Sequence, residues 1–241
     1  MPPLGWWGLA AVLASLPAAL WLWFYLRHDT DPEPRHLIWI TFLLGMAAVV
    51  PPFLAEQALL RLSMFQGDRL GTIALRALVV IGPLEEIFKL LAALPMFYHP
   101  DFDEAIDGLV YATSASLGFA TIENLWRFAE RGANLFSVEG LQLFILRGVL
   151  STLGHVLFAA SWGYALGQSR LWGRLSWRLL GGGLALASLA HGLFDLFLMA
   201  DEASDQRWQP LVWLLAPLMI TLYQRMNRYL IRARFQDRAL I

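Results

Sequence analysis

Seven apolar stretches follow one another along this chain with only short polar breaks: Leu4–Leu26, Leu37–Leu54, Thr72–Tyr98, Ile106–Phe128, Leu141–Leu166, Trp177–Ala200 and Pro210–Leu230. A helix crosses the hydrocarbon of a bilayer in about 20 residues, and it satisfies its own backbone amides where no water is at hand. The pattern predicts an all-α, polytopic transmembrane bundle of about seven spans, forming a single integral membrane domain over residues 1–241. The chain is 58% hydrophobic and only 15% charged, with a mean hydropathy of +0.53. Soluble domains carry about 25% charge, so composition agrees. The first stretch begins at Leu4 without a basic leader and is too long for the core of a signal peptide. It reads as a span rather than a cleaved segment.

The same composition excludes several chemistries. There is no cysteine, which removes disulfides, thiolate nucleophiles and sulfur-ligated metals. Net charge is −1 and no basic stripe lies along a polar surface, so nucleic acid is not an expected partner. The lipid bilayer is.

The second stretch is short and runs into Pro51-Pro52, where a helix should stop or kink. Phe53–Phe65, with Glu56, Gln57 and Arg61 on one side, reads as an interfacial helix near 53–65. Gly163 and Gly167 form a small-xxx-small pair, and Gly181-Gly182-Gly183 open the sixth stretch; both patterns permit close helix approach. Arginine placement sets orientation. Arg27, Arg35, Arg170, Arg174, Arg178 and the tail (Arg225, Arg228, Arg232, Arg234, Arg238) fall on one side, against Arg61, Arg69, Arg127, Arg131 and Arg207 on the other. The richer side should be cytoplasmic, with the N-terminus outside and the C-terminus inside.

Against this apolar background stand six ionisable residues: Glu85, Glu86, Glu123, His155, His191 and Asp195. A charge near a bilayer centre costs roughly 2.5–3.5 kcal/mol on insertion scales, so such residues are rare and pair with one another. Counting inward from the flanking arginines at 1.5 Å per residue places all six in about the outer half of the membrane. A single shared site on four helices explains that coincidence. His191 and Asp195, four apart, share a helix face, and Lys89 lies within reach of both Glu85 and Glu86. Lys89 can neutralise one glutamate, leaving the other to exchange protons, as activation of a water requires. Spacing does not decide which of the two is the base. Gly82-Pro83, just ahead, should bend the helix.

Three motifs in order then carry a resemblance. Glu85-Glu86-Ile87-Phe88-Lys89 reads as EExxK, Phe119-Ala120-Thr121-Ile122-Glu123 as FxxxE, and His191-Gly192-Leu193-Phe194-Asp195 as HxxxD. With Gly82-Pro83, Asp107-Gly108, Asn124 and His155 around them, they resemble the PrsW family of intramembrane proteases, relatives of the CAAX-processing and bacteriocin-processing membrane proteases. The resemblance covers about residues 72–200. It implies hydrolysis of a peptide bond in or near the membrane-spanning part of a membrane protein, such as a single-span, anti-sigma-factor-like substrate cut at an extracytoplasmic site. It further implies that Glu85 or Glu86 activates water with help from Glu123. His191 and Asp195 would polarise the carbonyl, with Lys89, Phe119 and Asn124 in support.

The family is classed as metal-dependent, whereas the CAAX enzymes look metal-free. Histidines and carboxylates from different helices could hold zinc, the candidates being His155, His191, Glu123 and Glu86, though there is no HExxH. A proton-coupled transporter or channel, or a non-catalytic binder of membrane peptides, uses similar residue types. A transporter needs a polar path to both faces, and here the polar residues stop near mid-membrane. Outside the cluster, Arg76 and Arg147 read as snorkelling interface residues, and His28, His36 and His99 as solvated. Asp101, Asp103, Glu104 and Asp107 read as a wet loop, and the arginine-rich tail as a contact for lipid headgroups.

Overall fold

A computed structural model describes residues 4–27, 31–131, 137–202 and 209–238; His28 and Arg207 fall outside them. The described residues are helical, with no strand among them. The helices are α1 (Leu4–Leu26), α2 (Arg35–Ala47), α3 (Val50–Leu59), α4 (Leu70–Leu75), α5 (Gly82–Ala93), α6 (Asp107–Arg131), α7 (Val138–Leu143), α8 (Thr152–Leu171), α9 (Trp177–Asp201) and α10 (Leu215–Arg238). A π-helical stretch, Arg76–Ile81, joins α4 to α5, and another, Phe144–Ser151, joins α7 to α8. Counted as continuous runs, the described residues form the seven helical segments that hydropathy predicts.

Four of those runs are long and apolar enough to cross a membrane: Gly5–Leu26, Arg35–Leu59, Gly140–Leu171 and Trp177–Asp201. The other three carry more charge. The run holding α5 contains Arg76, Glu85, Glu86 and Lys89, α6 contains Asp107, Glu123 and Arg127, and α10 ends in arginines. For α5 and α6, protein rather than lipid surrounds most of these groups.

Helix α6 is the axis of the bundle, packed against α1, α2 and α8. Residues 105–121 are all buried. Its approach to α8 depends on the glycine pair expected to allow it: a Cβ on Gly167 would stand 1.9 Å from the Ala105 carbonyl oxygen. In the Gly181-Gly182-Gly183 run, only Gly183 meets a neighbouring backbone, at Ser161; the other two face open space. The break expected at Pro51-Pro52 falls earlier. Helix α2 ends at Ala47, and α3 begins at Val50 with both prolines in its first turn. First-turn amides have no helical partner to lose, so proline is tolerated there.

The acidic stretch before α6 is not simply a wet loop. Asp107 is buried, and its Oδ2 accepts the backbone N–H groups of Asp103 (2.9 Å) and Glu104 (2.7 Å). Asp237, near the end of α10, accepts the next two amides, from Ala105 (2.7 Å) and Ile106 (3.3 Å). A helix start leaves amides unpaired and carries partial positive charge, so carboxylates there are stabilising. The axial helix is thus capped in part by the last one.

Candidate active site

The local backbone around Gly82-Pro83 brings two helices into contact. Proline offers no N–H to the carbonyl four residues back, and the turn ahead of it widens into the π stretch. At Gly82 an added Cβ would lie 2.6 Å from the Ser188 carbonyl oxygen. At Gly192 it would lie 2.7 Å from the carbonyl oxygen of Ala77. Backbone touches backbone on both sides, which sets Glu85 and Glu86 of α5 against His191 of α9.

Glu86 is fully enclosed and fully paired. Its Oε1 accepts Lys89 Nζ at 2.8 Å and faces His191 Nδ1 at 3.0 Å, while Oε2 accepts Trp162 Nε1–H at 2.9 Å. Lys89, equally buried, also lies 3.3 Å from Glu85 and 2.7 Å from His155 Nδ1, with its Nζ 4.4 Å from the centre of the Phe119 ring. An ammonium has only protons to give, so His155 Nδ1 accepts and Nε2 carries the ring proton. That proton is donated to Glu123 Oε2 at 3.0 Å. Arg147 reaches Glu123 Oε1 at 3.5 Å, and Arg127 at 3.9 Å.

The outer part of the cluster is looser. Donation from His191 Nδ1 to Glu86 leaves the lone pair on Nε2, which faces Glu85 Oε2 at 3.6 Å and Asp195 Oδ2 at 3.4 Å. Glu85 Oε2 is buried and accepts no hydrogen bond, its cationic partner being Lys89 Nζ at 3.3 Å. The side chains of Glu85, Asp195 and Glu123 are 10–17% exposed, whereas those of Glu86 and Lys89 are wholly closed off. Of the two adjacent glutamates, Glu85 faces the accessible space and Glu86 anchors the interior.

All six singled-out residues therefore meet. Asn124 stands aside from the carboxylates and ties α6 to α8 through Thr152 Oγ1 at 2.9 Å. Arg147 does not snorkel; its side chain is 11% exposed and turned onto Glu123. Trp162 and Phe158, which stacks on His191 at 4.9 Å, are further members that sequence patterning misses, because tryptophan and phenylalanine fill apolar runs everywhere in this chain. Glu56 of α3 carries a buried oxygen without a hydrogen bond and lies in the electrostatic field of Glu123 and Arg127. On the sequence Glu56 lies on the polar side of an interfacial helix near 53–65; in the structure that helix is α3, which starts at Val50 and stops at Leu59.

Ligand atoms of Glu85, His155 and His191 lie within 4.8 Å of one another, and all three residues are buried. This group differs from the set read off the sequence. The oxygens of Glu86 are taken by Lys89, His191 and Trp162, and those of Glu123 by His155 and the arginines. Glu85 Oε2, which accepts no hydrogen bond though Lys89 Nζ lies 3.3 Å away, and the lone pair of His191 Nε2 are the donors this trio offers a cation.

Apolar helices enclosing a cluster of carboxylates and histidines, one of its buried carboxylate oxygens without a hydrogen bond, have the make-up of a membrane-embedded hydrolase. The chain belongs to the PrsW family: the family model described as PrsW family intramembrane metalloprotease matches residues 33–222, a longer span than the motifs cover. Among curated relatives, Protease PrsW of Bacillus subtilis is 30% identical over 210 residues, covering 85% of this chain and 86% of that protein. Protease PrsW of Oceanobacillus iheyensis is 32% identical over 214 residues (87% and 90%), and that of Clostridioides difficile 32% over 196 (80% and 79%). No solved structure matches the chain. The protein is an intramembrane protease of a metalloprotease family, integral to the membrane, acting on membrane-protein substrates.

Proposed function

We propose that this protease cleaves single-span membrane proteins, anti-sigma-factor-like among them, with Glu85 as the group that takes the proton from the attacking water. The observation that carries the assignment is Glu85 Oε2, a buried oxygen that accepts no hydrogen bond, its ion pair to Lys89 being 3.3 Å long, and that lies 3.6 Å from the unprotonated nitrogen of His191. A water seated beside that pair, bonded to both atoms, gives one proton to Glu85 and directs its oxygen at the scissile carbonyl. The C–O bond forms, the carbonyl pair becomes an oxyanion, and the proton on Glu85 passes to the leaving amine as the C–N bond breaks. Glu86 holds His191 in its tautomer and Lys89 in place. Glu123 does the same for His155, and Arg147 balances its charge.

The family's metal would be held by Glu85, His155 and His191; this sulfur-free donor set suits zinc, which would supply Lewis-acid polarisation. A carboxylate has two oxygens, so holding an ion through one leaves the other for a proton. His155 would have to release Lys89 or Glu123 to take part. The orientation that arginine counts favour, C-terminus in the cytoplasm, puts the cluster in the outer half of the membrane and the cut on the extracytoplasmic side.

The test is cleavage of a single-span substrate by the protein reconstituted in vesicles, with metal content measured alongside. Glu85→Gln is expected to stop cleavage while the protein stays folded. Chelation is expected to stop it too, with recovery on adding zinc. Full cleavage by Glu85→Gln would remove the proposed base, and activity indifferent to chelation at zero metal content would remove the ion.

A further inference from the structure

At the opposite end of α8 and α9 from the active site, a notch of about 240 Å³ opens where both helices meet α10. Two guanidinium groups line it, Arg178 of α9 and Arg225 of α10, and neither forms an ion pair among the described residues. Arg225 is not free to swing away. Its Nε donates to the hydroxyl of Tyr229, and that ring is stacked on Tyr164 at 4.3 Å and 9°. The floor is Gly182, where an added Cβ would meet nothing within 4 Å. Leu179, Leu186 and Ala165 give the wall an apolar part, and Ser161 and Gln168 a polar one.

Two cations, Arg225 held by Tyr229 and Arg178 exposed, beside a recess with leucine in its wall suit a phosphate attached to hydrocarbon. Trp172 and Trp177, both exposed at this end, mark the level at which indole rings settle in the headgroup region. Leu189, seven residues beyond Gly182 and so on the same face of α9, is an exposed apolar side chain. We propose that the α8–α9–α10 notch binds an anionic phospholipid, its phosphate between Arg178 and Arg225 and an acyl chain leaving over Leu186. On the orientation proposed above the notch opens to the cytoplasmic leaflet, where anionic lipids attract basic groups. The proposal is independent of the chemistry at Glu85.

The experiment is native mass spectrometry of the full chain in detergent, titrated with phosphatidylglycerol or with phosphatidylcholine. The wild type should retain phosphatidylglycerol preferentially. Arg178→Gln with Arg225→Gln should weaken retention about thirtyfold, at about 1 kcal/mol for each charge near the surface. Gly182→Leu should weaken it as well, by filling the recess without changing charge. Arg174→Gln with Arg228→Gln, which removes two arginines outside the notch, should leave it unchanged. Equal loss in that control would reduce the effect to diffuse electrostatics and overturn the site. Retention by Gly182→Leu would do the same, and displacement of the lipid by inorganic phosphate at equal concentration would make it a plain ion site. Intact cleavage by each variant shows that loss of lipid is not loss of fold.

Discussion

The two ends of the α8–α9 pair handle charge in opposite ways. Around His155 and His191, buried carboxylates are matched against Lys89, Arg147 and two imidazoles, and nearly every oxygen has a donor. Around Arg178 and Arg225 the positive charge is left without a carboxylate and sits at an opening. Low dielectric explains the first arrangement, since an unpaired ion there costs several kcal/mol. Contact with headgroups and water permits the second. Within the enclosed cluster Glu85 Oε2 departs from this pattern, held by a 3.3 Å ion pair to Lys89 and no hydrogen bond, and that departure is the ground for proposing it as the base.

The comparison makes graded predictions. The largest effect should come from Glu85→Gln, expected to lower the cleavage rate about a hundred- to ten-thousandfold, as for loss of a general base, with a smaller fall in the unfolding midpoint than Glu86→Gln gives, since Lys89 keeps its shorter bond to Glu86. Next is Glu86→Gln. It strips a partner from enclosed Lys89 and should destabilise by about 3–5 kcal/mol, seen as a lower midpoint in thermal unfolding in detergent. Equal midpoints for the two variants would break the distinction between a loosely held and an anchored glutamate. Trp162→Phe deletes only the indole donor to Glu86 and should cost about 2 kcal/mol, with its effect absent in a Glu86→Gln background. The smallest effect should be that of Arg178→Gln, within about 0.5 kcal/mol, because no partner is left stranded. A larger loss there would mean that the notch is held together by charge.

Much of the fold was legible because a bilayer asks little of a sequence: long apolar runs with short breaks suffice, and the runs match the helical segments closely. The site residues were legible for the complementary reason, that Glu85, Glu86, Glu123, His155, His191 and Asp195 are conspicuous against such a background. What could not be read is whatever depends on how each helix is rotated against its neighbours. Glu85 and Glu86 are adjacent, and only packing at Gly82 and Gly192 decides which one is enclosed. Arg147 looked like an interface anchor because its partner, Glu123, is on another helix and enters by way of a π turn. Trp162 carries no signal at all, since an indole that binds a carboxylate is spelled like one that fills a core. Asp107 looked solvated because backbone amides are invisible as partners in a string of letters.

The bond from Asp237 to the amides of Ala105 and Ile106 has a consequence for assembly. Those amides stay without their carboxylate until translation has added more than half of the chain beyond them. The pillar that carries Glu123 is therefore completed only when α10 swings back to its foot. A ribosome that stalls before Asp237 leaves a nascent protein with its central post unfinished, and the carboxylate–histidine cluster without its full support.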